Sequence, residues 1–224
     1  MEESSSAWSS WTDAFADALS LLLPVWCAGC DRPGRALCSV CVAAFDGPYR
    51  RPLAPGLTLW SAGRHDGSNA RAIRALKEEG QTGIAGPLGR RLASALDAAG
   101  WGEASLVPVP TSRAALRRRG YAVPELLASR TGHPVHRMLR VSGRAADQRD
   151  LGRRERERNV AGTLAARPAR HARVPTAVVL IDDVATTGAT LREAHRVLAA
   201  TGVVVLGAVS ATDTPRRSSP ALPG

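Results

Sequence analysis

An unbroken apolar run followed by a helix-like repeat is the most regular pattern in the chain. Residues 178–181, Val-Val-Leu-Ile, are apolar and mostly β-branched, which is typical of a strand buried on both faces of a parallel sheet. Two acidic residues and a short loop of small and hydroxyl residues come next. Residues 191–198 then place their apolar side chains on one face at helical spacing. This order predicts a strand, a loop and a helix, and ligands usually bind at such a junction in an open α/β sheet.

Shorter apolar segments on either side predict the rest of an α/β domain, which we expect to span residues 56–212. Strands are predicted at residues 57–60, 106–110, 135–141 and 202–209, and helices at residues 69–77 and 88–99. A linker is predicted in front of the first strand from Pro48, Pro52 and Pro55. The alternation predicts a fold of the α/β class, with a doubly wound and mostly parallel sheet.

Both ends of the chain are predicted to lie outside this domain. Residues 1–20 are expected to form a flexible or amphipathic N terminus, with apolar positions at helical spacing between residues 11 and 26. A secretory signal does not fit, because the leading region is acidic and the apolar core is short. No segment is apolar for long enough to span a membrane, so we expect a cytoplasmic protein. Residues 213–224 are predicted to be a disordered tail, rich in proline and serine.

Composition changes this picture in one respect. The formal net charge is +10, and arginine supplies nearly all of the positive charge, because Lys77 is the only lysine. Such a bias is typical of genomic composition pressure, so the basic balance is weak evidence for nucleic-acid binding. Arginine mimics the compact ammonium of lysine poorly where space is tight. Lys77 is therefore a candidate for a role near phosphate groups, with a lone surface residue as the alternative.

All four cysteines lie in two C-x-x-C pairs within residues 21–50: Cys27 with Cys30, and Cys38 with Cys41. Two such pairs can clamp a tetrahedral ion from both sides, and thiolate sulfur suits Zn²⁺. Disulfides and a redox pair are the alternatives. Disulfides need an oxidising compartment, and a redox pair would not explain the second C-x-x-C. We predict a structural zinc site without catalytic function, because four protein ligands leave no open position.

The loop after the buried run has the residue types of a sugar-phosphate site. Unpaired N–H groups at a helix start attract phosphate, and small side chains let the backbone approach it. Carboxylates accept hydrogen bonds from sugar hydroxyls and can hold Mg²⁺. The alternative is a plain Asp-Asp turn with a threonine as helix cap. The candidate residues are Asp182 and Asp183 for the sugar, and Thr186, Thr187, Gly188, Ala189 and Thr190 for the phosphate.

Residues 178–190, VVLIDDVATTGAT, resemble the phosphoribosyl-pyrophosphate (PRPP) motif of type I phosphoribosyltransferases. The resemblance implies their doubly wound fold and a PRPP site. Asp182 and Asp183 would face the ribose hydroxyls, and Val184 together with residues 185–190 would surround the 5′-phosphate. A crystal soaked in a sugar monophosphate that showed an empty loop, with both aspartates ion-paired inward, would count against this interpretation.

Other segments resemble the ComF family, phosphoribosyltransferase-like proteins that are associated with bacterial DNA uptake. The resemblance covers roughly residues 21–210 and rests on the cysteine pairs, on Leu76-Lys77, and on residues 107–110, 118–121, 125–128 and 148–160. One departure is visible at residues 122–124, Ala-Val-Pro, where the family usually places Asn-Gln after Arg-Gly-Tyr. An amide contact to ligand at that position would be missing here.

These resemblances imply a Mg²⁺-dependent transfer of ribose 5-phosphate from PRPP to an unidentified acceptor, with release of pyrophosphate. Asp182, Asp183, Lys77 and Arg113 are the candidate catalytic residues. Thr111 and Ser112, in a loop after a predicted strand, would bind the pyrophosphate with Arg113. Residues 142–150 are the expected mobile loop over the substrate. The arginines of residues 149–158 would bind pyrophosphate or a nucleic-acid backbone, or else form ion pairs along a solvated helix.

Two alternatives to a transferase stay open. One is a non-catalytic module that keeps the PRPP fold and acts in the import of single-stranded DNA, with the uptake machinery as its partner. The other is a regulator that senses PRPP.

Overall fold

The structure is a computed structural model, which describes residues 25–142, 160–167 and 175–214. Several predicted segments lie outside these residues: the N terminus 1–20 and most of its helix, the loop 143–150, the arginine-rich run up to residue 158, and the tail from residue 215. None of the helices in the described ranges is long and apolar enough to cross a membrane.

The described chain alternates strands and helices. The strands are β1 (Tyr49–Ala54), β2 (Leu57–Ser61), β3 (Ser105–Pro108), β4 (Leu139–Val141), β5 (Leu164–Ala166), β6 (Ala177–Ala185) and β7 (Val204–Asp213). The helices are α1 (Ser39–Ala43), α2 (Gly67–Glu78), α3 (Ala85–Ala98), α4 (Arg113–Arg119), α5 (Val123–Ala128) and α6 (Ala189–Ala199), with a short 3₁₀ turn at Thr82–Ile84.

Five of the strands form one mixed sheet in the order β1-β2-β7-β6-β3. The pairs β2–β7, β7–β6 and β6–β3 are parallel, and only the edge strand β1 runs antiparallel to its neighbour. The carboxyl ends of the four parallel strands therefore meet at one edge. Strands β4 and β5 form a separate antiparallel pair.

Both faces of the central strand β6 are buried, which explains why residues 178–181 are all apolar. Val179 and Ile181 pack into a cluster with side chains of α2, α3 and α5. Val178 and Leu180 point to the other face, into a cluster with α6 and the β4–β5 pair. Alternate residues of a strand point to opposite faces, so a strand covered on both sides needs apolar residues at every position. The predicted α/β class with a mostly parallel sheet is confirmed.

Two local predictions were wrong. The segment predicted as a proline linker contains β1, which pairs with β2. Pro52 is tolerated there because one side of an edge strand makes no hydrogen bonds to a neighbouring strand, so the missing N–H of proline costs nothing on that side. The register of the β1–β2 pair also shifts between Pro52 and Ala54. Of residues 135–141 only the last three form a strand, whereas Val135 makes a single bridge to Leu106 of β3.

The cysteine-bearing segment packs on the domain through apolar and polar contacts. Cys27, Cys41 and Phe45 belong to the same buried cluster as α2 and α3. Asn69 of α2 is 3% exposed, and its amide nitrogen donates to the backbone oxygens of Ala44 (2.8 Å) and Arg64 (3.1 Å). One side chain thus joins the end of the cysteine segment to the loop that follows β2.

We expect Asn69→Ala to lower the free energy of unfolding by about 2 kcal/mol, because a buried side chain would lose its two hydrogen bonds to backbone oxygens. Urea denaturation measures this change. Arg71→Ala is the matched control on the same helix, where an exposed arginine makes a 3.6 Å ion pair with Asp31. An equal decrease in the free energy of unfolding of the two variants would contradict the proposal that Asn69 connects the cysteine segment to the loop after β2.

Candidate functional site

A small polar pocket opens where β6 ends and α6 begins. Its empty volume is about 210 Å³, and it is open to solvent. The chain turns there at Gly188, whose φ of 72° lies in the left-handed region that glycine adopts without strain. The lining residues are Asp182, Val184, Ala185, Thr186, Thr187, Gly188, Ala189, Thr190 and Leu191. Apart from Asp183, the candidate residues after the apolar run are thus brought together in one pocket.

The backbone of this pocket offers hydrogen-bond donors. The N–H groups of Thr187, Gly188 and Thr190 donate to no other group in the part of the chain that the structure describes. The N–H of Ala189 is held by the hydroxyl oxygen of Thr187 at 3.3 Å. All four groups lie at the start of α6, where the helix dipole adds partial positive charge. The pocket therefore suits an anion the size of a phosphate group.

The two aspartates are directed to opposite sides, because β6 continues through both of them to Ala185. Asp182 lines the pocket, and its Oδ1 accepts the N–H of Asp183 at 2.8 Å. Asp183 is 7% exposed, and its Oδ1 lies 2.7 Å from Nζ of Lys77 on α2. Asp182 has no ion pair within the described ranges. Only one member of the predicted pair is thus ion-paired inward.

Burial and the neighbouring Asp183 carboxylate raise the pKa of Asp182 from its ordinary value of 3.8 to about 8. The N–H of Asp183 and the Lys77 ammonium oppose this rise in pKa without cancelling it. Asp182 therefore binds a proton near neutral pH, and a cation in the pocket would favour its charged form.

Lys77 is not a lone surface residue, since its side chain is 27% exposed and pairs with Asp183. His65 lies nearby, and its Nδ1 is 2.9 Å from the hydroxyl of Thr212 at the end of β7. Burial and the Lys77 ammonium lower the pKa of His65. Sequence analysis missed His65 because its neighbours come from other strands; its position just after a predicted strand was the available signal.

The predicted pyrophosphate loop lies at the same edge of the sheet. It follows β3, the neighbour of β6, and Val109 donates its N–H to the Ile181 oxygen at 2.9 Å. Ser112 caps α4 by accepting the N–H of Ala115 at 3.2 Å, and Arg113 is exposed. Neither Thr111 nor Ser112 lines the pocket, so the structure leaves this loop beside the pocket and open to solvent.

Arg51 of β1 is a second residue that sequence analysis missed. It bonds to both carboxylate oxygens of Asp213 at 2.7 Å and to the backbone oxygen of Thr186 at 2.9 Å. Its partners are 162 and 135 residues away in the chain, and it lies in the segment predicted to be a linker. No local pattern could have indicated this arginine.

The four cysteines form a compact cluster. Their sulfur atoms all lie within 4.8 Å of one another, and Cys27 and Cys41 are buried. A tetrahedral zinc site with Zn–S bonds of 2.3 Å would separate its sulfurs by about 3.8 Å, so the donor set fits this ion. Cys30 and Cys38 have their sulfurs 3.6 Å apart, too far for a disulfide. The prediction of a four-cysteine cluster compatible with structural zinc is confirmed to this extent.

The environment of the cluster distinguishes its thiols. Burial opposes ionisation of Cys27, but N–H groups, led by that of Cys38 at 3.3 Å, lower its pKa to about 6. Burial and the neighbouring sulfurs raise the pKa of Cys41. One thiolate is thus ready to bind a cation, and the second buried thiol needs the cation to lose its proton.

We expect the purified protein to contain one zinc ion per chain and Cys41→Ser to lose it, because three sulfurs bind zinc far more weakly than four. Elemental mass spectrometry of the dialysed protein measures the content. Ser39→Ala, an exposed position between the ligands, is the control. A wild-type protein purified with zinc present but lacking the ion would contradict the assignment.

The pKa of Asp182 predicts how stability depends on pH. The folded protein holds this proton at pH values where the unfolded chain has lost it, so the contribution of Asp182 to the free energy of unfolding should fall as pH rises from about 4 to about 8. Asp182→Asn should flatten this decline, whereas Asn at exposed Asp97 should not. Urea denaturation at a series of pH values decides between them, and equal slopes in both variants would contradict the elevated pKa.

Comparisons with known proteins assign no family to the chain. No protein-family model matches it, and no curated protein matches it significantly. Of the features that the sequence resemblances imply, the structure shows two: an α/β fold with a mostly parallel sheet, and a four-cysteine cluster near the N terminus. The function has to be inferred from the geometry of the pocket and its surroundings.

Proposed function

We propose that this chain is a PRPP-binding, phosphoribosyltransferase-like protein of the ComF type, with the fold of type I phosphoribosyltransferases. In this proposal it transfers ribose 5-phosphate to an acceptor with release of pyrophosphate. The observation that carries the proposal is the pocket at the start of α6, which Asp182 lines together with residues whose backbone N–H groups have no partner in the described part of the chain.

The two halves of the pocket match the two halves of a phosphorylated sugar. The N–H groups of residues 187, 188 and 190, with the hydroxyls of Thr186, Thr187 and Thr190, provide donors for phosphate oxygens. Asp182, which lines the same pocket, provides acceptors for sugar hydroxyls.

Transfer would require the bond between C1 and pyrophosphate to loosen while positive charge develops on the ribosyl ring. Asp182, which lines the pocket, would stabilise that charge, and the Lys77 ammonium neutralises Asp183. Arg113, Thr111 and Ser112, at the adjacent strand end, would bind the departing pyrophosphate. Bound Mg²⁺ would neutralise charge on the pyrophosphate, and Asp182 is the carboxylate of the pocket that fits it.

One observation favours the alternative of a binding module without turnover. The ion pair between Lys77 and Asp183, at 2.7 Å, engages one of the two carboxylates that the transferase hypothesis assigns to the ribose. The last turn of α4 also presents a row of arginines, Arg117, Arg118 and Arg119, on a helix without a buried residue. A module that binds PRPP and the backbone of single-stranded DNA would use both features and need no catalysis.

Calorimetric titration with ribose 5-phosphate tests the pocket. We expect the wild-type protein to bind it and Thr190→Val to bind about ten-fold more weakly, because valine keeps the shape of threonine and removes the hydroxyl donor. Thr201→Val, at the other end of α6, is the matched control and should bind like the wild type. Equal affinity of wild type and T190V, or no binding by the wild type, would contradict the proposed phosphate site.

Release of pyrophosphate from PRPP and Mg²⁺ with a panel of nucleobases separates the two functions. Turnover that Asp182→Asn abolishes would support the transferase. Binding of PRPP with no release for any acceptor would support the module.

A further inference from the structure

The loop of the pocket is held from outside by two arginines. Arg51 donates to the backbone oxygen of Thr186 at 2.9 Å, and Arg192 of α6 donates to that of Thr187 at 2.8 Å. Neither arginine lines the pocket, whereas both threonines do. Two consecutive carbonyl groups are therefore drawn toward guanidinium groups that lie outside the pocket wall.

The planarity of the peptide bond gives these contacts a consequence for the pocket. In a trans peptide the carbonyl of one residue and the N–H of the next point in opposite directions. A carbonyl of Thr186 fixed on Arg51 therefore fixes the N–H of Thr187, and a carbonyl of Thr187 fixed on Arg192 fixes the N–H of Gly188. These are two of the N–H groups without a partner in the described part of the chain.

Arg51 is itself held firmly. It makes a two-point contact with Asp213, which is 6% exposed, while its own side chain is 24% exposed. Because the planar guanidinium has several donors in a rigid fork, it can bind a carboxylate and a carbonyl together. The ammonium of lysine is a compact point charge and cannot reproduce that arrangement.

A second contact from β1 supports the same loop. A Cβ atom added at Gly188 would lie 2.5 Å from Cδ2 of Leu53, so the Leu53 side chain lies directly against this glycine. The strand thus supplies a polar contact at the first residue of the loop and an apolar contact at the third. Both contacts approach the loop from β1, which contributes no residue to the pocket itself.

We propose that Arg51 is a positioning residue of the pocket: by binding the Thr186 carbonyl and Asp213 it directs the N–H of Thr187 toward a bound phosphate. This inference rests on the proposed function, in which the pocket binds a sugar phosphate. Without Arg51 the Thr186 carbonyl loses this contact, and the peptide between Thr186 and Thr187 can rotate more easily. A rotated peptide would present a carbonyl oxygen to the anion, which repels it.

The test compares Arg51→Ala, Arg51→Lys and Arg50→Ala in the full chain. Arg50 is the matched control, since it is an exposed arginine on the same strand that lies 6.0 Å from the Trp60 ring. Calorimetry measures the affinity for ribose 5-phosphate and for inorganic phosphate. Amide chemical shifts of Thr187 and Gly188 are measured in the ligand-free proteins.

We expect R51A to bind ribose 5-phosphate about ten-fold more weakly or worse, and R50A to bind within about two-fold of the wild type. R51K should remain folded and keep the contact with Asp213, but its affinity for ribose 5-phosphate should fall as in R51A. The amide resonance of Thr187 should shift in both Arg51 variants and stay unchanged in R50A. If Arg51 only stabilised the fold, R51K would be less stable than the wild type, but the chemical shift of the Thr187 amide in the folded variant would not change.

Affinities of R51A and R51K within about two-fold of a wild type that binds would overturn the inference and leave the proposed function intact. A wild type that binds neither ligand would overturn the proposed function. The amide chemical shifts then test the effect of Arg51 on the loop independently of ligand binding. An unchanged Thr187 chemical shift in R51K would overturn the positioning function of Arg51, and a changed chemical shift would support it.

Discussion

The parallel ladder between β6 and β7 supports everything else in the described structure. Eight pairs of residues join these strands from Ala177 and Val204 to Ala185 and Asp213, with one register shift near the start. Both faces of β6 are covered, so the apolar side chains at residues 178–181 are removed from water on two sides. Burial of this kind is the main favourable contribution to folding, and it holds the polar end of the strand at the edge of the sheet.

At that polar end, strand geometry directs two adjacent carboxylates to opposite sides of the sheet. Asp182 and Asp183 are adjacent in sequence, yet one lines the pocket and the other pairs with Lys77 on the opposite side. The separation follows from the alternation of side chains in an extended strand. It leaves Asp182 without an ion pair in the described residues, while burial and the neighbouring Asp183 carboxylate raise its pKa. The same alternation therefore creates one ion-paired carboxylate and one that is available to a ligand.

Two peripheral segments complete the edge of the sheet from opposite directions. The cysteine segment reaches the loop after β2 through Asn69 and through the N–H of Gly47, which donates to Ala62 at 2.9 Å. That loop carries His65 beside the Lys77–Asp183 pair. From the other side β1 reaches the pocket through Arg51 and Leu53. The groups at the edge are thus positioned by contacts with segments that precede the parallel sheet in the chain.

The sequence by itself determined the elements whose signals are local. The apolar run at 178–181, the helical spacing after residue 190 and the spacing of the cysteines each depend on neighbours in the chain, and each prediction agrees with the structure. Only the tertiary structure decided which side Asp182 faces, that Lys77 pairs with Asp183, and that a proline-rich segment forms an edge strand. It alone revealed Arg51, because a hydrogen bond between residues 135 positions apart leaves no periodicity to read. Such contacts depend on how strands are ordered in a sheet, and that order is set by packing of the whole chain.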